Sequence, residues 1–358
     1  MYLTSYISLG NQLLRVGIYT FADLLDSCGN RCALGCIFLR ERVSRGLCNL
    51  SVAGFVLLLG ACAGLPTKNL QSVAAKDGHQ ETVVESTRFF HRVFSNQKKS
   101  ANGVLNVYLE GDGLPWIFRY FVVSDPTPRW PLMLHLMERD ENAAVYIGRP
   151  CYNGFASSKG CSSVLWTAGR YSTDVVSSMV EVLRAEMLKH QATKINLFGH
   201  SGGGAIAMLM AEQLSETRSV VTMAGNLDTD AWTSLHGYSP LFTSLNPSKR
   251  APLDRRVTQV HLMGGRDSNI PPNLARQWVT SQPNSYGVIF QDFDHSCCWN
   301  SQWRSIVRQV TRGAQPLEFA VKPFKIPPRQ YLSHQLSGES VQQNLRTVSE
   351  YTGHTHIQ

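Results

Sequence analysis

From residue 86 to residue 313 the chain alternates two kinds of apolar pattern. Short, dense apolar runs at 87–94, 103–113, 143–150, 194–198, 219–225, 256–265 and 286–293 read as strands. Between them lie segments whose apolar residues recur every three to four positions. The clearest is 171–191, where Val175, Met179, Val180, Leu183 and Met187 share one face and Ser172 or Thr173 stands ready to cap. Further helices are expected at 129–139, at 271–282, at 302–313, and from Ala205 onward, where Ile206, Leu209, Met210 and Leu214 keep helical spacing. Strands that alternate with helices imply a mostly parallel sheet with helices on both faces, an α/β protein. No internal repeat interrupts the order.

The ends of the chain read differently. Residues 62–85 are polar and contain Pro and Gly, which suits a tether. Beyond residue 313 no period of either kind survives, so 314–358 is expected to be extended or disordered. Near the start, Arg40, Arg42 and Arg45 precede an apolar run from Leu47 to Leu59, which is followed by Gly60, Ala61 and Cys62. A positive region, a short apolar region and a small-residue site make a secretory signal, and the run is short for a membrane span. Leu59-Gly60-Ala61-Cys62 resembles a bacterial lipobox. That resemblance implies a leader of residues 1–61, a lipid on Cys62, and, with Ala at position 63, a place on the outer membrane of a bacterial envelope facing the periplasm. Residues 1–39 are too long for the front of such a signal, so translation is expected to start near Val43, unless the leader is an unusual one.

Composition adds limits. With 358 residues, 43% hydrophobic and 17% charged, the chain has the make-up of a globular protein with a large core. Its formal charge of +8 is spread without a basic block, and no nucleic-acid motif accompanies it. Export would remove Cys28, Cys32, Cys36 and Cys48 with the leader, so their spacing is not taken as a metal site. Cys151, Cys161, Cys297 and Cys298 remain for an oxidising compartment, where two disulfides are expected. Cys151–Cys161 would close a short loop. Cys297 and Cys298 would then form a vicinal pair, or one of them would reach back to the 151–161 loop.

Candidate chemistry gathers where the 194–198 strand meets the following helix. Gly199-His200-Ser201-Gly202-Gly203 is a G-x-S-x-G pattern in a strand–turn–helix setting. So tight a turn strains the serine backbone and lifts its hydroxyl out of the sheet. Gly199 and Gly203 remove the side chains that would clash. The N–H of Gly202, at the start of the helix, can face a developing oxyanion. Later in the chain Asp267 follows a strand in HLMGGRDSNIPP, and His295 follows the last strand in FDHSCCW. Serine, acid and histidine in that order resemble the α/β-hydrolase superfamily over residues 86–313.

The resemblance assigns Ser201 as nucleophile, His295 as general base and Asp267 as the acid that orients it, with Asp228 in AGNLDTD as the other acid position. Glu110-Gly111-Asp112-Gly113 stands where the superfamily carries its second oxyanion turn, so the Asp112 N–H becomes the second donor. Carboxylates at 110 and 112 depart from the pattern and would be unfavourable beside an oxyanion unless they turn away. His200 abuts the serine, but its side chain should diverge from the hydroxyl. Residues 226–247, with Trp232, Tyr238, Leu241 and Phe242, form an insertion that either acts as a lid or acyl-binding wall or fills its own small core.

A serine hydrolase of small-molecule or lipid carboxylic esters follows from the resemblance, with no cofactor and no metal. An amidase, thioesterase or peptidase would use the same groups, and a non-catalytic envelope lipoprotein would keep the fold as a binding module. Oligomeric state is not readable. The leader reading has a direct check. Mass spectrometry of the native protein is expected to find a lipid-modified N-terminus at Cys62 and no peptide from residues 1–39.

Overall fold

The computed structural model describes residues 66–100 and 102–312. The leader, Cys62 and the 314–358 tail lie outside the described residues. Inside them the alternation of patterns becomes an eight-stranded sheet in the order β1-β2-β6-β3-β7-β8-β9-β10. The strands are β1 (Gln80–Glu85), β2 (Phe90–Ser95), β3 (Val104–Leu109), β6 (Ala144–Ile147), β7 (Lys194–His200), β8 (Thr217–Met223), β9 (Thr258–Gly264) and β10 (Ser285–Phe290). From β6 to β10 every neighbour is parallel, whereas β1 and β2 join antiparallel at one edge. A separate two-stranded hairpin, β4 (Trp116–Ile117) and β5 (Phe121–Val122), was not foreseen in the pattern.

Strand periodicity splits the core in two. Leu105, Val107 and Leu109 of β3 and Ile195 and Leu197 of β7 point to one face. There they meet α3 (Thr173–Lys189), α4 (Gly202–Ala211) and α6 (Pro272–Ser281). Tyr108 and Phe198 point to the other face, covered by α1 (Pro66–Lys76), α2 (Leu132–Met137) and α7 (Trp299–Arg312). The remaining helix, α5 (Thr229–His236), lies in the 226–247 insertion. Ser172 caps α3 by accepting from the Val175 N–H.

One expectation fails here. Residues 62–85 are not simply a tether, because Pro66–Lys76 is helical and Gln80–Glu85 is an edge strand. The segment looked polar because α1 buries only Leu70 and Ala74, and because β1 exposes four of its six residues as an edge strand does.

The second face carries polar groups inside the core. Asp140, fully buried, accepts from Asn106 Nδ2 at 2.6 Å and from the Tyr108 hydroxyl at 2.8 Å. Asn196 Nδ2 donates to Asn106 Oδ1 at 2.8 Å, and Ser219 Oγ donates to Asn196 Oδ1 at 2.7 Å. Trp303 Nε1 donates to the Tyr108 oxygen at 3.3 Å, which ties α7 to the sheet. The chain of bonds crosses β3, β7 and β8 and fixes their register where apolar packing alone would tolerate a slip. Asp140→Ala strands two buried donors, so a loss of about 2–4 kcal/mol is expected in denaturant unfolding, with Asp140→Asn losing clearly less.

Candidate active site

The site lies at the carboxyl ends of the parallel strands. β7 runs into α4 at Ser201, which takes φ 52° and ψ −119°. The left-handed φ is costly for a residue with a side chain and persists only where the surroundings enforce it. They do so by close approach. A Cβ on Gly199 would strike the Gly203 carbonyl, one on Gly203 would strike the carbonyls of Leu109 and Glu110, and one on Gly202 would strike the Asp112 carboxylate and the Tyr171 hydroxyl. The Ser201 N–H bonds Met223 O at 2.9 Å, and Ser201 O accepts from the Asn226 N–H at 3.0 Å, so β8 clamps the turn from its far side.

Asp267 and His295 reach the serine from two neighbouring loops. After β9, a Cβ at Gly264 or Gly265 would collide with main chain at Phe293 or Gln291. Bare glycine lets the loops touch, and the Arg266 N–H then bonds Phe293 O at 2.9 Å. Asp267 Oδ2 lies 2.9 Å from His295 Nδ1, and its Oδ1 accepts from the N–H groups of Asn269 at 2.9 Å and Ile270 at 2.8 Å. His295 Nε2 stands 3.1 Å from Ser201 Oγ. The Asp267 side chain is fully buried and that of His295 is 23% exposed, so the relay opens to solvent at the imidazole end. Asp228, the other acid position, instead caps α5 by accepting from Asp230 N and Ala231 N. Asp294 turns to its own loop, accepting from Ser296 N and Cys297 N.

His200 diverges from the hydroxyl and finds a different partner. Its Nε2 lies 2.8 Å from the main-chain oxygen of His295, which can only accept, so this nitrogen carries the proton. Trp299 Nε1 donates to the same oxygen at 3.3 Å. Burial, and then the neighbouring His295, push the His200 pKa down to about 3, so the ring stays neutral. Asn269 is a further contact not foreseen. Its Nδ2 lies 3.1 Å from His295 Nε2, while its Oδ1 accepts from Trp232 Nε1 at 3.3 Å and its carbonyl pairs with His236 Nε2 at 2.7 Å. Through Asn269 the 226–247 insertion is wired to the imidazole. Trp232, His236 and Tyr238 pack on one another, while Phe242 stays exposed.

The two carboxylates of the 110–113 turn have separate fates. Asp112 Oδ1 accepts from Arg149 Nη1 at 2.5 Å, and Oδ2 accepts from Arg170 Nη1 at 2.9 Å and the Tyr171 hydroxyl at 2.6 Å. Burial alone would raise its pKa, but the two guanidiniums outweigh it and hold the carboxyl far below the usual range. The acid that looked hostile to an oxyanion therefore has its charge answered by two arginines, buried with it. Neither Arg149 nor Arg170 stood out in the sequence as part of the candidate site. The only signal was their place in RPC and AGRYS, the loops after β6 and before α3. Glu110 has no cation. It accepts from Gly111 N at 3.2 Å and Met133 N at 3.0 Å, and so serves the open start of α2. Burial pushes its pKa up from 4.5 to about 7.

Cys151 is bridged to Cys161, closing the loop beside Arg149, and Cys297 is bridged to Cys298 just after His295. Among the described residues no group of His, Cys, Asp or Glu is placed to hold a metal ion.

This sheet, these flanking helices and the serine turn define an α/β-hydrolase fold, and a family model described as alpha/beta hydrolase fold matches residues 159–240. That stretch holds α3, β7, Ser201 and α4. Solved structures resemble the chain only distantly. An esterase of Pyrococcus furiosus is 12% identical, with a TM-score of 0.46 over 67% of this chain and 94% of its own. An acylaminoacyl peptidase of Pyrococcus horikoshii is 13% identical, with a TM-score of 0.44 over 66% of this chain and 40% of its own. Likeness at that level carries no argument about activity. No curated protein matches the sequence.

Glu110 makes a test of the electrostatics. Its folded pKa lies above its unfolded one, so its contribution to stability is full below pH 4.5 and fades until about pH 7. Glu110→Gln removes the ionisation while keeping an acceptor. Between pH 5 and pH 8 the parent is expected to lose roughly 1–3 kcal/mol relative to the variant. Denaturation midpoints of both proteins at both pH values measure it, and an unchanged gap would refute the assignment.

Proposed function

We propose that the protein is a serine hydrolase acting on carboxylic esters. One observation carries the reading: a buried carboxylate, an imidazole and a serine hydroxyl stand in series at 2.9 and 3.1 Å, with the serine on a strained turn at a helix start. His295 Nε2 takes the Ser201 proton as Oγ attacks the acyl carbon. Asp267 holds the proton on Nδ1 and balances the imidazolium that forms. The N–H groups of Gly202 and Asp112 receive the oxyanion. His295 then returns the proton to the leaving alcohol. In the second half water attacks the acyl-enzyme, again through His295, and Ser201 is released. No step of this mechanism uses a metal or an organic cofactor.

His200 and Trp299 both bond the His295 carbonyl, and Asp267 is gripped by two N–H groups. The main chain of the base and the carboxylate on its Nδ1 are therefore both held in place, which keeps Nε2 directed at Ser201 for proton transfer in both directions. We further propose export and lipid attachment at Cys62, with the domain facing the periplasm. The lipobox-like sequence supports this, and two bridged cysteine pairs suit an oxidising compartment.

A fluorophosphonate is expected to label the protein stoichiometrically at Ser201, with the adduct found by mass spectrometry and absent from Ser201→Ala. Hydrolysis of p-nitrophenyl butyrate is expected to fall by about 10⁴-fold or more in Ser201→Ala and His295→Ala. A folded, oxidised protein that neither takes up the probe nor turns over the ester would overturn the proposal and favour a binding role.

A further inference from the structure

The turn that carries Asp112 continues into the β4–β5 hairpin, which is built for something other than water. Trp116 pairs with Val122 and Ile117 with Phe121. Phe118 and Arg119 make the tip, both with left-handed φ (50° and 65°), and the Tyr120 N–H bonds Ile117 O at 3.2 Å. Two residues per strand are marginal in water. Even so, the hairpin leaves Phe118 74%, Tyr120 82% and Phe121 66% exposed. Three adjacent, mostly exposed large apolar side chains are more than scattered surface residues.

Other exposed apolar groups join it. Trp166 Nε1 donates to Val123 O at 3.2 Å, which fastens the hairpin to the short helical turn that bears exposed Val164. Arg119 lies over the Tyr238 ring at 5.3 Å, which fastens it to the insertion that bears exposed Phe242. The same insertion reaches His295 through His236 and Asn269. The apolar rim thus borders the candidate active site.

We propose that this rim docks the protein onto an anionic phospholipid surface, with the hairpin tip entering the boundary between headgroups and acyl chains. From Gly113 to Ser124 there is one charge, Arg119, and no acid. Aromatic rings with a lone guanidinium suit a lipid interface, where ring bodies enter the apolar layer and the cation stays with phosphate. Of the formal charge of +8, residues 1–61 hold +2 (five arginines against three acids), and the remaining +6 adds attraction to anionic lipid. A protein partner would need several charged and polar groups to pair around the patch. Besides the guanidinium, the hairpin's side chains from Trp116 to Val122 offer only the Tyr120 hydroxyl and the Trp116 indole N–H, which suit a headgroup layer equally well. No helix among the described residues is long and apolar enough to cross a membrane, so through this hairpin the contact is peripheral. On the ester-hydrolase reading, the substrate class becomes esters carried in a lipid surface and delivered beside Ser201.

Sedimentation with phosphatidylglycerol–phosphatidylcholine vesicles tests it, comparing parent and Phe118→Ser/Phe121→Ser. Both are expressed from Ala63 onward, a length that keeps the compact unit whole, because a lipid on Cys62 would hold parent and variant on the vesicles alike. The variant's partition onto vesicles is expected to fall about tenfold or more, with hydrolysis of dissolved p-nitrophenyl butyrate kept within about twofold. Arg119→Glu is expected to weaken binding to the anionic vesicles and to spare that to pure phosphatidylcholine. Equal sedimentation of parent and variant overturns the proposal. So does a parent that self-associates on size exclusion while the variant runs as a monomer, since the rim would then bind a second copy. A parent inactive on the dissolved ester would sink the hydrolase reading alone, and sedimentation would still decide the docking.

Discussion

Everything at the candidate site depends on one steric collision, relieved by missing side chains. β7 and α4 meet at Ser201 so tightly that Gly199 and Gly203 leave no room for a Cβ, and Gly203 touches the main chain at the end of β3. That contact brings the 110–113 turn beside the serine turn. The strained φ of Ser201 is then a property of the whole sheet rather than of one residue, because β3 and β8 press on it from both sides. In the proposed mechanism a serine held this way needs no reorganisation before attack.

The second constraint is electrostatic. Asp112 must sit near the helix start because its turn does, and an unpaired carboxylate there would oppose negative charge on a substrate oxygen. Arg149 and Arg170 settle the conflict, each bonding one carboxylate oxygen, with Tyr171 adding a hydroxyl. The desolvation of three buried charges is offset by their mutual bonds, an arrangement worth more for fixed geometry than for net stability. Glu110 meets the same burial with only N–H partners, and its pKa moves the opposite way. Two acids, two positions apart, thus show how the number of nearby cations decides which form a buried carboxyl takes.

The sequence made the strand–helix order, the serine turn and the positions of Asp267 and His295 visible, because each rests on local pattern: apolar period, glycine spacing, a residue just past a strand. What it hid was non-local. Arg149, Arg170 and Tyr171 converge on Asp112 from loops 37 to 59 residues away. Asn269 gains meaning only when the insertion folds over it. The 66–85 segment was misread because an edge strand and a helix with two buried residues leave almost no periodic trace. The β4–β5 hairpin escaped because its apolar residues face outward, where hydrophobicity misleads about burial.

The polar chain through Asn106, Asn196 and Ser219 has one more consequence. Asn196 stands on β7 and Ser201 just past its end, five residues further on, a span of roughly 16 Å at strand rise. The amino-terminal half of the central strands carries the register lock, and the carboxyl-terminal ends carry the candidate site. Over that distance perturbations of the two regions combine nearly independently. The loops around Ser201 can therefore diversify, by drift or by design, while the register of the sheet beneath them is inherited unchanged.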